Sequence, residues 1–106
     1  PDGDSIGSQL AFAFALQALG KDVTIVNRDP ATPPLMAFPG VASIIVAPEV
    51  TGDFDAAVIM ECGDLGRPGV AGLERYFLIN IDHHRGNTGY GAINWYDESA
   101  AACGEM

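Results

Sequence analysis

Residues 77–84 read Phe-Leu-Ile-Asn-Ile-Asp-His-His, an apolar run that ends abruptly on a carboxylate and two imidazoles. A run of this length, rich in branched side chains and closed by polar groups, predicts a buried strand rather than a helix. Upstream, Val23–Val26, Ile44–Val46 and Ala56–Met60 repeat the pattern, and downstream Gly91–Trp95 gives a further candidate. The runs are near-continuous rather than alternating, which describes parallel strands covered on both faces. Ser5–Leu19 is mostly Ala, Leu, Phe and Gln, good helix material stopped by Gly20. It is apolar on nearly every side, so burial against a sheet is expected. Three prolines between Asp29 and Pro34 make that segment a crossing loop, and Gly63, Gly66, Pro68 and Gly69 break the chain after the third strand. Ser99 reads as the cap of a helix beginning at Ala100. The expected fold class is α/β: a three-layer domain with a mostly parallel, doubly wound sheet flanked by helices.

The 106 residues, 48% of them hydrophobic, suffice for one compact domain or a piece of one. The start at Pro1 and the stop at Met106, inside what reads as a new helix, suggest a trimmed piece of something longer. A net charge of −9 is the wrong sign for gripping long duplex nucleic acid by its phosphates. It suits the collection of hard divalent cations, which take oxygen ligands. Cys62 and Cys103 lack C-x-x-C spacing, which argues against a disulfide framework or zinc ribbon and fits a reducing cytoplasm. The longest apolar stretch, Leu10–Leu16, falls far short of the ~18 residues of a membrane span. No membrane association is expected.

In an open parallel sheet, ligands bind just past the carboxyl ends of the strands. Two polar groups stand there: Glu61-Cys62-Gly63-Asp64 after Met60, and Asp82-His83-His84 after Ile81. Neighbouring strands would face both into one crevice. Asp2-Gly3-Asp4 precedes the first helix, where two carboxylates can point together near backbone N–H groups. Alone, that element reads first as a helix cap with solvated charges. An EF-hand is excluded, because Ile6 and Ala13 occupy positions that need oxygen ligands. Imidazole with several carboxylates suits Mn²⁺, Fe²⁺ or Zn²⁺, and the preponderance of oxygen favours Mn²⁺. Cys62 has no base beside it and reads as packing.

The run Pro1–Ser8, Leu19-Gly20-Lys21, Phe38-Pro39-Gly40, Cys62–Arg67 and Asp82-His83-His84 with Asn87 together resemble the DHH phosphoesterase superfamily, within it most nearly bacterial oligoribonucleases that also dephosphorylate 3′-phosphoadenosine 5′-phosphate. The likeness spans nearly the whole chain. It implies an enzyme, a hydrolase with two Mn²⁺ ions, acting on short oligoribonucleotides, on 3′-phosphoadenosine 5′-phosphate, or on both, through attack by a hydroxide bridging the ions. By the same resemblance Asp2 would hold one metal, Asp4 and His83 the other, and the carboxylate after the third strand both. His84 would meet substrate phosphate, Asn87 would stand beside it as a weaker substrate contact, and Asp82 would orient the site. The family normally has Asp at the bridging position; here Glu61 stands there, 22 residues before His83, with Asp64 as its competitor.

On this reading residues 1–106 are a partial DHH catalytic domain. A metal-binding His just before Pro1, a later Asp, and the C-terminal substrate-binding domain lie outside it, and Asp97 and Glu98 are only acidic groups near the start of the next helix. The partners expected are a short RNA or phosphorylated nucleotide, with a homodimer compatible. Two alternatives stay open: a cyclic-dinucleotide phosphodiesterase, and a metal- or nucleotide-binding module that keeps the fold without the chemistry.

Overall fold

The computed structural model describes residues 2–106. Helix α1 covers Gly3–Ala18. Asp2 caps it, its side chain accepting the Ser5 N–H at 2.8 Å, which satisfies one of the free donors of the first turn. At the other end Gly20, at φ +80°, donates to Gln17 O at 2.9 Å, and Lys21 donates to Leu16 O at 3.0 Å. This paired closure needs a left-handed residue, and glycine adopts it without steric cost.

Five strands follow: β1 (Val26–Asn27), β2 (Ile45–Val46), β3 (Ala57–Met60), β4 (Leu78–Asp82) and β5 (Ile93–Tyr96). Every pairing between them is parallel, as the continuous apolar runs predict. The strands form two sheets, β1-β2 and β3-β4-β5, where the sequence suggests one. The split has a local cause. The expected first strand, Val23–Val26, reaches a partner only at its end, where Ile45 N–H donates to Ile25 O at 2.8 Å and Ala47 N–H to Asn27 O at 2.9 Å. The stretch 21–25 lies instead along a cleft of about 550 Å³ whose other wall is β3.

Ile6, Leu10 and Val41 form a core cluster, with Ile25, Ala31, Leu35 and Ile44 packed against it. Burial of α1 is confined to a stripe of Ile6, Leu10 and Ala13 and, on the opposite side, to Ser8, while Phe14 is 47% exposed. The all-round burial expected for this helix is therefore corrected. Its apolar composition exceeds the cover that β3 and the neighbouring turns provide. The helix expected from Ala100 is also corrected: a 3-10 turn, Cys103–Glu105, forms instead. Asp97 Oδ1 takes both the Ser99 N–H at 3.0 Å and its hydroxyl at 2.6 Å. The hydroxyl that would have capped a helix is thus committed to a turn. Asp97 and Glu98 consequently precede a turn, and no helix dipole lies behind them. Among the described residues no helix is long and apolar enough to cross a membrane.

Candidate metal centre

The register of the second sheet aligns Met60 with Ile81 and Asp82 with Tyr96, so β3, β4 and β5 end side by side. The Glu61 N–H extends the ladder to Ile81 O at 3.0 Å, and Asp97 N–H donates to Asp82 O at 3.1 Å. At this edge the chain must turn sharply, and Glu61 does so at φ +68°, the one non-glycine with positive φ among the described residues. Such a conformation is strained for a residue bearing a Cβ, by about 1–3 kcal/mol, and persists where its surroundings hold it. The turn swings the Glu61 side chain beneath α1, toward Asp4 and His83.

Asp4, Glu61, His83 and Cys103 each offer a ligand atom, and these atoms all lie within 4.8 Å of one another. His83 Nε2 is 3.5 Å from Asp4 Oδ2 and 3.4 Å from Glu61 Oε1. His83 Nδ1 lies 3.2 Å from the Ala100 carbonyl. A carbonyl only accepts, so Nδ1 carries the hydrogen, and Nε2 is the nitrogen turned toward two carboxylates. Glu61 Oε1 is buried and receives no hydrogen bond. Two carboxylates thus meet around one imidazole nitrogen, an arrangement that requires a proton or a cation between them.

The charges reflect this. Burial pushes Glu61 up to about 7, reinforced by its hydrogen bond with Asp4 and by the charges of Asp4 and Asp2. Burial raises Asp4 too, but hydrogen bonds from Glu61, from the Cys103 and Gly104 N–H groups and from the Ser8 hydroxyl outweigh it and bring Asp4 down to about 2. Below about pH 7 one proton therefore sits with the pair, held on Glu61. Part-buried, preformed oxygen donors with one imidazole are what a divalent cation fits.

Asp82, with no exposed surface, is the hub beside this group. Its Oδ1 accepts the N–H groups of His83 at 2.8 Å and His84 at 3.2 Å, and His84 Nδ1 at 2.7 Å. Its Oδ2 accepts the Asn87 amide at 2.9 Å. Burial raises Asp82, but these donors outweigh it and lower its pKa, and the Asp82 carboxylate in turn raises that of His84. The His84 ring is about half-exposed, 51% for its side chain.

Of the residues singled out in the sequence, Asp4, Glu61 and His83 converge, and Asp82, His84 and Asn87 form the adjoining network. Asp2 stands at the rim, its side chain occupied in capping α1. Asp64 is turned away: its Oδ1 accepts Gly66 N–H at 3.0 Å within its own loop. Cys62 is a neutral thiol, burial pushing its pKa up to about 11. Sequence reasoning missed Cys103, whose thiol donates to Ile81 O at 3.6 Å and whose backbone N–H donates to Asp4 Oδ2 at 2.9 Å. Nothing in the sequence announces that return, since it arises from a turn that closes on α1 across 99 positions. It also missed Asn80 and Asn94, which sit inside strand runs. A polar amide amid Leu78-Ile79 and Ile81 was the available signal.

The DHH family, N-terminal domain, matches residues 1–106. The bifunctional oligoribonuclease and PAP phosphatase of Thermus thermophilus is 35% identical over 107 aligned positions, covering 100% of this chain and 32% of the relative's own length.

Proposed function

The chain belongs to the DHH family, and on that premise we propose that it is the metal-holding part of a phosphoesterase. Its substrates are proposed to be short oligoribonucleotides, 3′-phosphoadenosine 5′-phosphate, or both, in keeping with the similar Thermus protein. Because the chain spans about a third of that relative, 32% of its length, the domain that grips substrate is proposed to lie elsewhere in a longer protein. Two Mn²⁺ ions are the proposed cofactor and the cytoplasm the proposed location, the latter supported by the unpaired Cys62 and Cys103.

The observation that carries this reading is the donor deficit at Glu61 Oε1, buried and facing His83 Nε2 and a second carboxylate. Asp4, Glu61 and His83 would hold one ion, and Asp2 at the rim, with Glu61, the other. When bound, the ions supply Lewis-acid stabilisation of phosphoryl charge and an activated water. The remaining work falls to side chains. Ala100 O fixes the ring of His83. Asp82 holds His84 by Nδ1, so that its Nε2 is presented outward to a substrate phosphate, with Asn87 buttressing Asp82. A protonated His84, favoured by Asp82, would bind phosphate as a charge-assisted donor.

The test is a Mn²⁺ titration paired with hydrolysis of a short oligoribonucleotide and of 3′-phosphoadenosine 5′-phosphate, using the longer protein and its Glu61→Ala variant. Expected are metal binding and turnover, both lost in the variant, with little turnover from the 106-residue chain alone. Strong Mn²⁺ binding without hydrolysis of any phosphoester would replace this reading by a non-catalytic binding module.

A further inference from the structure

Strand β4 carries in its middle a fully buried polar residue, Asn80, for which an apolar strand has no evident need. Its Nδ2 donates to Asn87 Oδ1 at 2.8 Å and to Asn94 Oδ1 at 3.1 Å. An amide can face either way, so what fixes its direction matters. Here backbone donors fix it. The Gly89 N–H reaches Asn87 Oδ1 at 2.8 Å, and the Gly91 N–H reaches Asn94 Oδ1 at 2.9 Å. A backbone N–H only donates, so both Asn87 and Asn94 must turn oxygen toward Asn80, and Asn80 must turn its NH₂ toward them. Asn87 is left with its own NH₂, which donates to Asp82 Oδ2 at 2.9 Å and back to Asn80 Oδ1 at 3.4 Å. That carboxylate only accepts, so the chain of donors and acceptors closes without a mismatch.

We propose that Asn80 and Asn94 are positioning residues for His84: with Asn87 they form an amide network that pins Asp82 so that its other oxygen holds His84 by Nδ1. The proposal rests on reading His84 as the group that meets substrate phosphate. Asp82 Oδ1 accepts from His84 Nδ1 at 2.7 Å, which fixes the Nδ1–H form and points Nε2 outward. A carboxylate held by only one of its oxygens could rotate and release the ring. Outer partners of this kind hold the orientation of the groups that do the chemistry. A merely structural amide would satisfy itself without setting the polarity of a bond two residues away.

Asn80→Asp tests this, since it preserves size while turning oxygen toward two oxygens. The readout is the tautomer of His84 by long-range ¹H–¹⁵N correlation on the metal-free chain, at a pH where the imidazole is neutral. Wild type is expected to show the Nδ1–H form and Asn80→Asp to lose it to the Nε2–H form. A folded Asn80→Asp that keeps the wild-type tautomer overturns the proposal. If Asn80→Asp fails to fold, Asn94→Val on the exposed strand β5 is read the same way, with the same two outcomes. In the longer protein, kcat for 3′-phosphoadenosine 5′-phosphate should fall by about tenfold in Asn80→Asp while Mn²⁺ affinity is kept; undiminished kcat with an altered tautomer overturns the positioning role. Absence of hydrolysis in wild type would defeat the functional reading alone, because the tautomer is measured without substrate.

Discussion

At the residue scale the decisive group is Glu61, because opposite effects meet there. Its Oε1 lacks a donor, a deficit worth about 1–3 kcal/mol when no cation is bound. Glu61→Gln supplies an N–H to the neighbouring carboxylate and removes a ligand charge. Urea unfolding of the metal-free variant near neutral pH should therefore show a gain of about 1 kcal/mol. Loss of a direct ligand should exceed the effect of losing an outer partner, so calorimetric titration should show Mn²⁺ affinity reduced by about 100-fold or more. Asp64→Asn should change neither quantity, since Asp64 holds only its own loop; a large loss of Mn²⁺ affinity in Asp64→Asn would transfer the bridging role to Asp64. Glu61 and His83 were legible as candidates because strand ends are where ligands bind in parallel sheets, and Asp4 because Asp2-Gly3-Asp4 opens the first helix. Cys103 was not, because its place depends on how a distant turn docks. Nor was the amide chain through Asn80, whose meaning lies in the direction of hydrogen bonds rather than in spacing.

At the scale of elements, α1 and the turn Cys103–Glu105 are joined by one side chain. Asp4 Oδ2 accepts Cys103 N–H at 2.9 Å and Oδ1 accepts Gly104 N–H at 3.0 Å. Removing this carboxylate should release the turn from the helix, whereas removing the cap at Asp2 should weaken only the first helical turn. Asp4→Ala is expected to accelerate hydrogen exchange of the Cys103 amide and to cost about 1–3 kcal/mol. Asp2→Ala is expected to cost about 1 kcal/mol while leaving that amide's exchange unchanged. Equal Cys103 exchange in Asp4→Ala and wild type would show that the turn docks by other contacts. The strands β2 to β5 were readable to within a residue or two because their apolar runs are bounded by turn formers. The first strand was legible in composition but not in extent, since pairing depends on a partner's reach. The segment after Tyr96 misled because Asp97, which could have flanked a helix, instead captures Ser99.

At the scale of the whole molecule, acidity was visible in the sequence, a net charge of −9, while the concentration of a small part of it, Asp4 and Glu61, around one proton was not. That concentration dictates how stability varies with pH. Folded Glu61 titrates at about 7 rather than its ordinary 4.5, so the folded state keeps a proton that the unfolded chain has lost. This contribution is complete below the unfolded value and is lost as pH rises through about 7. His84, raised by Asp82, acts in the same sense, its contribution disappearing as pH rises through its folded value. Asp4, lowered to about 2, acts in another window: its contribution is present above the ordinary 3.8 and is lost only as pH falls toward 2. Growing negative charge adds self-repulsion in the direction set by Glu61. The metal-free chain should therefore melt at a lower temperature at about pH 8 than at about pH 5.5. Mn²⁺ should reverse the order, because the ion takes the place of the proton and binds the ionised carboxylate; its stabilisation grows as its dissociation constant falls with rising pH. Thermal unfolding at the two pH values, with and without Mn²⁺, reads both slopes. A metal-free melting temperature that rises between them would mean that Glu61 is already ionised in the folded chain, and the acceptor cluster would then need another source of positive charge.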